Sequence, residues 1–458
     1  MMKRRPNILF LMDDQHRPDL FGYAGNDIVR TPNLDFLAQT GVVFRNAYTP
    51  YPQCIPARQA MMSGQLPKTC QCEEFGEDLV PGYETFSRLF SRYAYATVAC
   101  GKLHHTGLDQ MQGWTHRIGS EMHITPRHLP GKQEEEFKRY VRPKSETRWS
   151  IPKEIQRSGI GKARQVKEDE YTIQGALNFI EEYFNSPYYD KERVNQPLLL
   201  KVSLTQPHYP YTADEEKFNY YLNRVPLYLN QEVSSHPYLR EKEIKVGVDV
   251  SEREIRRCVA AYYSMIETVD EHFGTILNAL EYVGQNLDDW IIIYTCDHGE
   301  MLGEHGVWMK QKFYEASARV PLIIRWPKEF EGNITRYENV NLCDLFATLC
   351  DLAELPIPEG LDSRSLVPLL KNHDVNWRNE TISQYQGKYL MIKWDDLKYQ
   401  YYGEDLPEVL FDLKKDSSEC IDYINDSKYQ DILKKFRKRR AELGFGPDAD
   451  PDYKNAGY

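Results

Sequence analysis

The residues best suited to chemistry lie between positions 49 and 64, around Cys54-Ile-Pro-Ala-Arg58. Prolines at positions 50 and 52 favour an extended approach, and Pro56 suits the first turn of a helix because that turn needs no backbone N–H from it. Cys54 and Arg58 would then lie one turn apart on one helix face. A helix N-terminus and a guanidinium both favour an anion there. Alone, the stretch would also fit a loop, a helix start and a buried thiol.

Four predicted strands end in side chains that could bind a metal or an anion. Their apolar segments, typical of strands buried on both faces, span 8–12, 93–100, 197–204 and 290–296. The side chains that follow them are, in order, Asp13 and Asp14, Lys102 and His104, His208, and Asp297 and His298. Ligands of open α/β sheets bind outside the carboxyl ends of the strands, so we expect these groups to share one site.

The acidic members of this set predict a divalent metal ion. Asp13 and Asp14 follow one strand, while Asp297 and His298 follow another. Carboxylate oxygens with one imidazole suit Ca²⁺ or Mg²⁺ and would tolerate Mn²⁺ or Zn²⁺.

The cationic members predict a small tetrahedral anion as the reacting group. In an extended segment alternate residues share a side, so Lys102 and His104 are expected to point the same way. His208 lies between two prolines, and Lys310 lies in a glycine-broken loop. Together with Arg58, these cationic side chains are additional to the residues that a metal site would use. They suit an anion whose charge is stabilised while an ester bond breaks.

Alternating strands and helices predict an α/β fold. Helices are expected at 31–41, at 170–184 and at 252–283, where Ser251 and Glu254 form a capping box. Residues 110–170 lack periodicity and are expected to form an irregular insertion with two surface histidines, His123 and His128. The last part predicts a small antiparallel sheet and one helix, with strands at 381–385, 389–394 and 398–402 and a helix at 428–443. We therefore divide the chain into a catalytic domain, 1–375, and a C-terminal subdomain, 376–458.

Composition limits the partners of the protein. A net charge of −11 argues against nucleic acid or an anionic membrane as partner. Nine scattered cysteines fit a reducing compartment, and Cys70 and Cys72 are expected to be free thiols. The first apolar run stops at two aspartates, unlike a secretory signal, and no run approaches the about twenty apolar residues that span a bilayer. We expect a cytoplasmic protein.

In combination these segments resemble the type I sulfatases of the alkaline phosphatase superfamily. The likeness is carried, in chain order, by residues 7–15, 54–58 with 63–64, 101–104, 208, 297–300, the loop through 310, and 410–416. It implies an alkaline-phosphatase-like fold, in which helices flank a large, mixed, mostly parallel sheet beside a small C-terminal antiparallel sheet with one helix. It also implies hydrolysis of a sulfate monoester, with a sulfated sugar as the first expectation.

The resemblance implies that Cys54 is oxidised to formylglycine by a maturation enzyme. The hydrated aldehyde has two hydroxyls, of which one binds the metal and attacks sulfur and the other lets sulfate be eliminated. The implied ligands of the metal, with Ca²⁺ expected first, are Asp13, Asp14, Cys54, Asp297 and His298. The other implied roles are diol stabilisation by Arg58, sulfate binding by Lys102 and Lys310, a base at His104, and an acid for the leaving alcohol at His208.

Two positions depart from many family members and keep alternatives open. Position 57 is alanine where many members have serine, and position 298 is histidine where many have asparagine. Histidine there resembles choline sulfatases, iduronate-type sulfatases and the phosphonate or phosphodiester hydrolases of the superfamily. The alternatives are thus a phosphonate monoester or phosphodiester hydrolase, a choline-sulfatase-like enzyme, or a binding protein without catalysis.

The expected partners are a small sulfated substrate and a formylglycine-generating enzyme, and the oligomeric state is open. Additional cations at the site would favour a uronic acid or another acidic sugar. Six side chains are candidates for contacting the leaving alcohol, namely Gln15, His16, Arg17, His105, Trp308 and Gln311.

Overall fold

The centre of the structure is an eight-stranded mixed sheet. The structure is a computed structural model and describes residues 5–119, 150–185, 196–229, 231–371, 375–450 and 453, so His123 and His128 lie outside the described residues. The described strands are β1 Ile8–Asp14, β2 Val42–Phe44, β3 Ala47–Tyr48, β4 Ala96–Gly101, β5 His116–Ile118, β6 Gly159–Ile160, β7 Leu198–Pro207, β8 Thr212–Ala213, β9 Ile291–Cys296, β10 Arg319–Val320, β11 Leu322–Arg325, β12 Ile334–Arg336, β13 Val340–Asn341, β14 Glu380–Tyr385, β15 Tyr389–Trp394, β16 Leu397–Tyr401 and β17 Val409–Asp412.

Helices cover both faces of this sheet. The described α-helices are α1 Pro32–Thr40, α2 Cys54–Ser63, α3 Pro67–Cys70, α4 Phe86–Arg92, α5 Ile151–Gln156, α6 Arg164–Asn185, α7 Glu215–Tyr221, α8 Glu252–Tyr282, α9 Glu315–Ala318, α10 Asp344–Leu352, α11 Val367–Lys371 and α12 Gln430–Glu442. Short 3₁₀ helices lie at Gly22–Ala24, Leu287–Asp289, Glu304–Gly306 and Ser427–Tyr429.

The central strands are parallel, which brings their carboxyl ends to one edge. The strand order is β12-β2-β11-β9-β1-β7-β4-β5. From β9 to β5 all neighbours are parallel, whereas β11 is antiparallel to both β9 and β2. The predicted α/β class, with a large, mostly parallel sheet, is confirmed.

The two faces of β1 explain its unbroken apolar sequence. Ile8, Phe10 and Met12 belong to the core cluster on one face of the sheet, with side chains from α2, α4 and α10. Leu9 and Leu11 belong to the cluster on the other face, with α1, α6 and α8. Because both faces are covered, polar residues are excluded until the strand ends.

Most predicted helices and strands are present, with shifted ends. The capping box of α8 forms, since the Ser251 hydroxyl accepts the Glu254 N–H and the Glu254 carboxylate accepts the Ser251 N–H. Helix α6 begins at Arg164 rather than at 170, and the segment expected to be irregular also contains β5, α5 and β6. The apolar run that follows α9 is divided between two sheets, as β10 and β11, at Pro321, which has no N–H to donate.

The C-terminal sheet is antiparallel and has four strands, β14 to β17, of which β17 was not predicted. Helix α12 packs on it through Phe436, whose ring centroid lies 4.5 Å from that of Trp394. Buried Lys398 joins this sheet to α9, because its ammonium lies 2.9 Å from a Glu315 carboxylate oxygen and 2.8 Å from one of Glu419. The domain boundary at 375/376 stays a prediction.

All nine cysteines have free thiols. Within the described ranges, no helix has both the length and the apolar character needed to cross a bilayer. The cytoplasmic location stays a prediction.

We expect Gly64→Ala to destabilise the protein by about 2–6 kcal/mol. Gly64 ends α2 with a φ of +68°, and an added Cβ would lie 2.8 Å from the Phe346 side chain. Backbone strain and overpacking each cost about 1–3 kcal/mol. Gly360→Ala is the control, because its φ is +76° but an added Cβ meets nothing within 4 Å. Equal shifts of the urea denaturation midpoint would mean that the Phe346 contact contributes nothing.

Candidate active site

Side chains from two adjacent strands and one helix meet at a buried point beside the carboxyl edge of the sheet. Ligand atoms of Asp14, Cys54, Asp297 and His298 all lie within 4.8 Å of one another, and all four residues are buried. The register explains this meeting, because Asp13 on β1 lies opposite Cys296 on the parallel strand β9. The next residues, Asp14 and Asp297, therefore lie side by side, and α2 begins at Cys54 beside them.

The donor atoms of this cluster fit a metal ion. His298 Nδ1 lies 3.0 Å from the Gly299 carbonyl oxygen and donates to it, so that in the neutral ring Nε2 carries the lone pair. Nε2 lies 3.7 Å from Asp297 Oδ1 and 3.9 Å from Asp14 Oδ1. Within the described part of the chain, His298 Nε2 and Asp14 Oδ1 are buried without a hydrogen bond. A lone pair facing carboxylates in a buried site is unfavourable unless a cation lies between them.

Asp13 lies outside this four-residue group but next to it. Its Oδ2 lies 2.6 Å from His16 Nδ1 and accepts a 3.0 Å hydrogen bond from the Tyr294 hydroxyl. Its Oδ1 is buried and makes no hydrogen bond with any described residue. Asp13 therefore has one oriented and one available oxygen, as expected of a further metal ligand.

Arg58 links the two carboxylates at the centre of the site. Its Nε donates to Asp297 Oδ2 at 2.7 Å, and its Nη2 donates to Asp14 Oδ2 at 3.2 Å. Its Nη1 donates to the Ser203 hydroxyl and the Lys102 carbonyl. Burial lowers the pKa of Arg58, but the carboxylates of Asp297 and Asp14 raise it more. The sequence predicted a guanidinium near position 54 but not that it would clamp the candidate ligands.

Position 54 is built to hold negative charge. Burial raises the pKa of the Cys54 thiol, but the charges of His104 and Lys310 and a hydrogen bond from His104 outweigh it, so that the pKa is lowered to about 5. These cations would equally stabilise an anionic oxygen at this position.

Lys102 and His208 both line the cavity, but they differ in charge. Lys102 Nζ lies 2.9 Å from Asp14 Oδ2. Burial raises the pKa of Asp14, but the positive charges around it, Lys102 first and then Arg58, lower it well below its usual range. His208 Nδ1 donates to the Tyr209 carbonyl at 2.6 Å. Burial and then the charges of Lys310 and Lys102 hold the pKa of His208 well below its usual range, so the ring is neutral near pH 7.

A cavity of about 420 Å³ opens above Cys54. Its described lining residues are Gln53, Cys54, Phe75, Lys102, His104, Ile151, His208, Tyr209, Glu241, Lys242, Val307, Trp308, Met309, Lys310, Gln311 and Lys312. Lys102 and His104 share the cavity as expected, but not through strand alternation. Strand β4 ends at Gly101, and His104 has a φ of +57°.

Gln15, which was expected to contact the leaving alcohol, and Glu300, for which no function was predicted, position Lys310. The Lys310 ammonium donates to the Gln15 side-chain oxygen, and the Gln15 amide donates to Glu300. Buried Glu300 also accepts the backbone N–H groups of Leu302 at 2.8 Å and Met309 at 2.6 Å. Glu300 therefore holds both ends of the loop that carries Lys310. Its place in the Asp297-His-Gly-Glu300 segment was the one sequence signal for this function.

The six candidates for the leaving alcohol divide into two groups. Trp308 and Gln311 line the cavity. The other four do not, and three of them bind neighbouring side chains: Gln15 contacts Lys310, His16 contacts Asp13, and Arg17 contacts Asp19 and Glu304. The fourth, His105, is buried.

Family models and curated relatives match nearly the whole chain. The model described as sulfatase matches residues 6–355, and that described as N-sulphoglucosamine sulphohydrolase, C-terminal, matches residues 303–444. A choline-sulfatase of Rhizobium meliloti (strain 1021) is 30% identical over 96% of this chain and 87% of its own. An arylsulfatase of Clostridium perfringens (strain 13 / Type A) is 29% identical over 95% of this chain and 93% of its own.

Solved structures support the same fold. A phosphonate monoester hydrolase of Agrobacterium radiobacter has a TM-score of 0.76 at 23% identity, with 96% of this chain and 95% of that chain covered. A protein solved in complex with its substrate D-glucosamine-2-N,6-O-disulfate has a TM-score of 0.76 at 21% identity, with 99% of both chains covered. The sequence matches and the shared fold lead to one conclusion: this chain belongs to the sulfatase family of the alkaline phosphatase superfamily and is a sulfuric ester hydrolase.

Proposed function

We propose that the protein removes sulfate from a sulfated carbohydrate and that its nucleophile is a formylglycine made from Cys54. The observation that carries this proposal is the place of Cys54. Its side chain lies within 4.8 Å of the ligand atoms of Asp14, Asp297 and His298, at the base of a cavity lined by cations. A nucleophile, a metal and an anion would therefore meet at one point.

The metal site would be formed by Asp14, Asp297, His298 and the modified residue 54, with Asp13 as a further ligand. When bound, a divalent ion would lower the pKa of the attacking hydroxyl and stabilise charge on the sulfate oxygens. Calcium is our first choice because three of the proposed side chains are carboxylates, which are hard oxygen ligands.

In the first step a hydroxyl of hydrated residue 54, having lost its proton to water, attacks sulfur through its oxygen while Lys102 and Lys310 bind the sulfate oxygens. The bond from sulfur to the alcohol oxygen breaks, and that oxygen takes a proton from His208 Nε2. Because Lys102 and Lys310 lower the pKa of His208, an incoming sulfate would offset their charge and favour protonation of the ring. His208 is thereby prepared as the acid only when substrate is present.

In the second step His104 removes the proton of the other hydroxyl on residue 54. The carbon–oxygen bond to the sulfate then breaks, inorganic sulfate leaves, and the aldehyde forms again. Two features support His104 as this base: its hydrogen bond to the side chain of residue 54, and its place, with Lys102, in the lining of the cavity.

The support for a sugar as leaving group comes from the cavity walls. Phe75, Tyr209 and Trp308 supply aromatic surface, and Gln53 and Gln311 supply amide groups that can bind hydroxyls. One protein of similar fold was solved with a sulfated glucosamine. A second candidate activity, phosphonate or phosphodiester hydrolysis, is favoured by the histidine at position 298 and by the likeness to a phosphonate monoester hydrolase.

Sulfate release from defined sulfated saccharides is the experiment that tests this proposal. The protein would be produced with a formylglycine-generating enzyme, and conversion of Cys54 checked by mass spectrometry. We expect Cys54→Ala to lower turnover about a thousandfold or more, because the nucleophile is lost. Unchanged turnover in that variant would refute the covalent mechanism. Faster wild-type hydrolysis of an aryl phosphodiester than of the matched aryl sulfate would favour the second activity.

Metal content gives a separate check of the site. We expect about one divalent ion per chain by elemental analysis, with loss of the ion and of activity after chelation and recovery on adding Ca²⁺. Asp297→Asn should weaken metal binding by at least about tenfold, because a charged ligand is removed. Asp431→Asn is the control, since Asp431 is exposed on α12. Full metal occupancy in the Asp297 variant would contradict the proposed ligand set.

Gln15→Leu should lower kcat/KM by about ten- to a hundredfold while metal content is retained. The change removes the acceptor that positions Lys310 and the amide that binds Glu300. A double-mutant cycle with Lys310→Ala provides the control, because two residues that act together give non-additive losses. Additive losses in the double variant would show that Gln15 acts independently of Lys310.

A further inference from the structure

The cavity above Cys54 carries more positive charge than one sulfate group needs. Among its described lining residues are four lysines and two histidines, but Glu241 is the one carboxylate. The proposed function assigns Lys102 and Lys310 to sulfate. Lys242 and Lys312 are then without a function, although both line the same cavity.

Lys312 is a buried lysine held in a defined place. Its side chain is 6% exposed, its ammonium donates to the Tyr238 carbonyl, and it lies 3.7 Å from the centroid of the Tyr238 ring. Burying an ammonium in this way is costly unless an anion or acceptor compensates for it.

The compensation that the protein supplies is partial. The Glu241 carboxylate lies 3.9 Å from the Lys312 ammonium, but its side chain is 54% exposed, so water screens the pair. Burial lowers the pKa of Lys312 to about 8; Glu241 opposes this shift and Lys242 adds to it. Lys312 is still mostly protonated near pH 7. Lys242, Lys312 and Glu241 together give this part of the cavity lining a net charge of about +1.

The loop that carries Lys312 is fixed relative to position 54. The Gln311 N–H donates to the Pro52 carbonyl at 3.0 Å, two residues before Cys54. The Gln311 carbonyl accepts a 2.6 Å hydrogen bond from the Tyr238 hydroxyl. Tyr238 in turn packs on Tyr389 and Tyr402, with ring centroids 4.7 and 5.0 Å away. Lys312 is therefore a fixed part of the cavity wall.

We propose that Lys312, with Lys242 beside it, forms a second anion subsite, so that the preferred substrate is a sulfate ester whose alcohol carries another singly charged anionic group. This inference rests on the proposed sulfatase activity of the same cavity. A carboxylate, as in an acidic sugar, and a second sulfate both have the required charge. A cationic alcohol such as choline would be repelled by the same lysines.

Matched aryl sulfates test this subsite. The substrates are 4-carboxyphenyl sulfate, its uncharged methyl ester and 4-sulfooxyphenyl sulfate, the last to distinguish a second sulfate from a carboxylate. We expect Lys312→Met to lower kcat/KM for the anionic substrates at least about tenfold more than for the ester, chiefly through KM. Lys312→Arg, which keeps the charge, should recover part of the loss. Lys328→Met is the control, since Lys328 is 60% exposed and lies outside the cavity lining.

Equal losses on all three substrates, or none, would overturn the subsite. If Lys312→Met does not fold, Lys242→Met is measured in the same way. Calorimetric binding of 4-hydroxybenzoate against its methyl ester gives a readout that needs no turnover. A wild-type preference for the acid that disappears in Lys312→Met would support the subsite even if no sulfate were cleaved, whereas sulfate cleavage without such a preference would reject the subsite and leave the sulfatase activity standing.

Discussion

The structure depends on balancing the negative charge of carboxylates that it buries side by side. Parallel strands bring Asp14 and Asp297 together, and neither carboxylate is exposed. Arg58 makes this arrangement possible, because one guanidinium donates to both and is itself fully buried. An uncompensated buried carboxylate would cost several kcal/mol. Asp14 Oδ1 and His298 Nε2 are buried and make no hydrogen bond with the described residues, which indicates that a cation completes the charge balance of the site.

The sequence predicted those parts of the site that follow from strand geometry. Asp14, Asp297 and His208 could be placed because long apolar runs identify buried parallel strands, whose ends must lie at one edge. Cys54 and Arg58 could be placed because proline marked a helix start. The ends of elements were less accurate. Helix α6 begins earlier than expected because its first turns are polar, so no apolar stripe marked them.

Other parts of the site depend on contacts between residues far apart in the chain, which no local pattern records. Gln15 and Glu300 are separated by 285 positions, and neither stands out by type. Lys312 was not predicted for the same reason, because its position is determined by its contacts with Tyr238 and by the cavity that it lines. The shared orientation of Lys102 and His104 was predicted from an extended chain, but it arises from a backbone that has already left the strand.

The buried contact between Lys398 and the carboxylates of Glu315 and Glu419 has an evolutionary consequence. The Lys398 ammonium donates hydrogen bonds to two carboxylates that come from different parts of the chain. If recombination replaced the C-terminal segment alone with that of a relative lacking the lysine, Glu315 would keep Arg319 as its one ion-pair partner among the described residues and lose the Lys398 ammonium. Substitutions at these three positions should therefore be inherited as a set, and a viable chimaera would have to carry both sides of the contact from one parent.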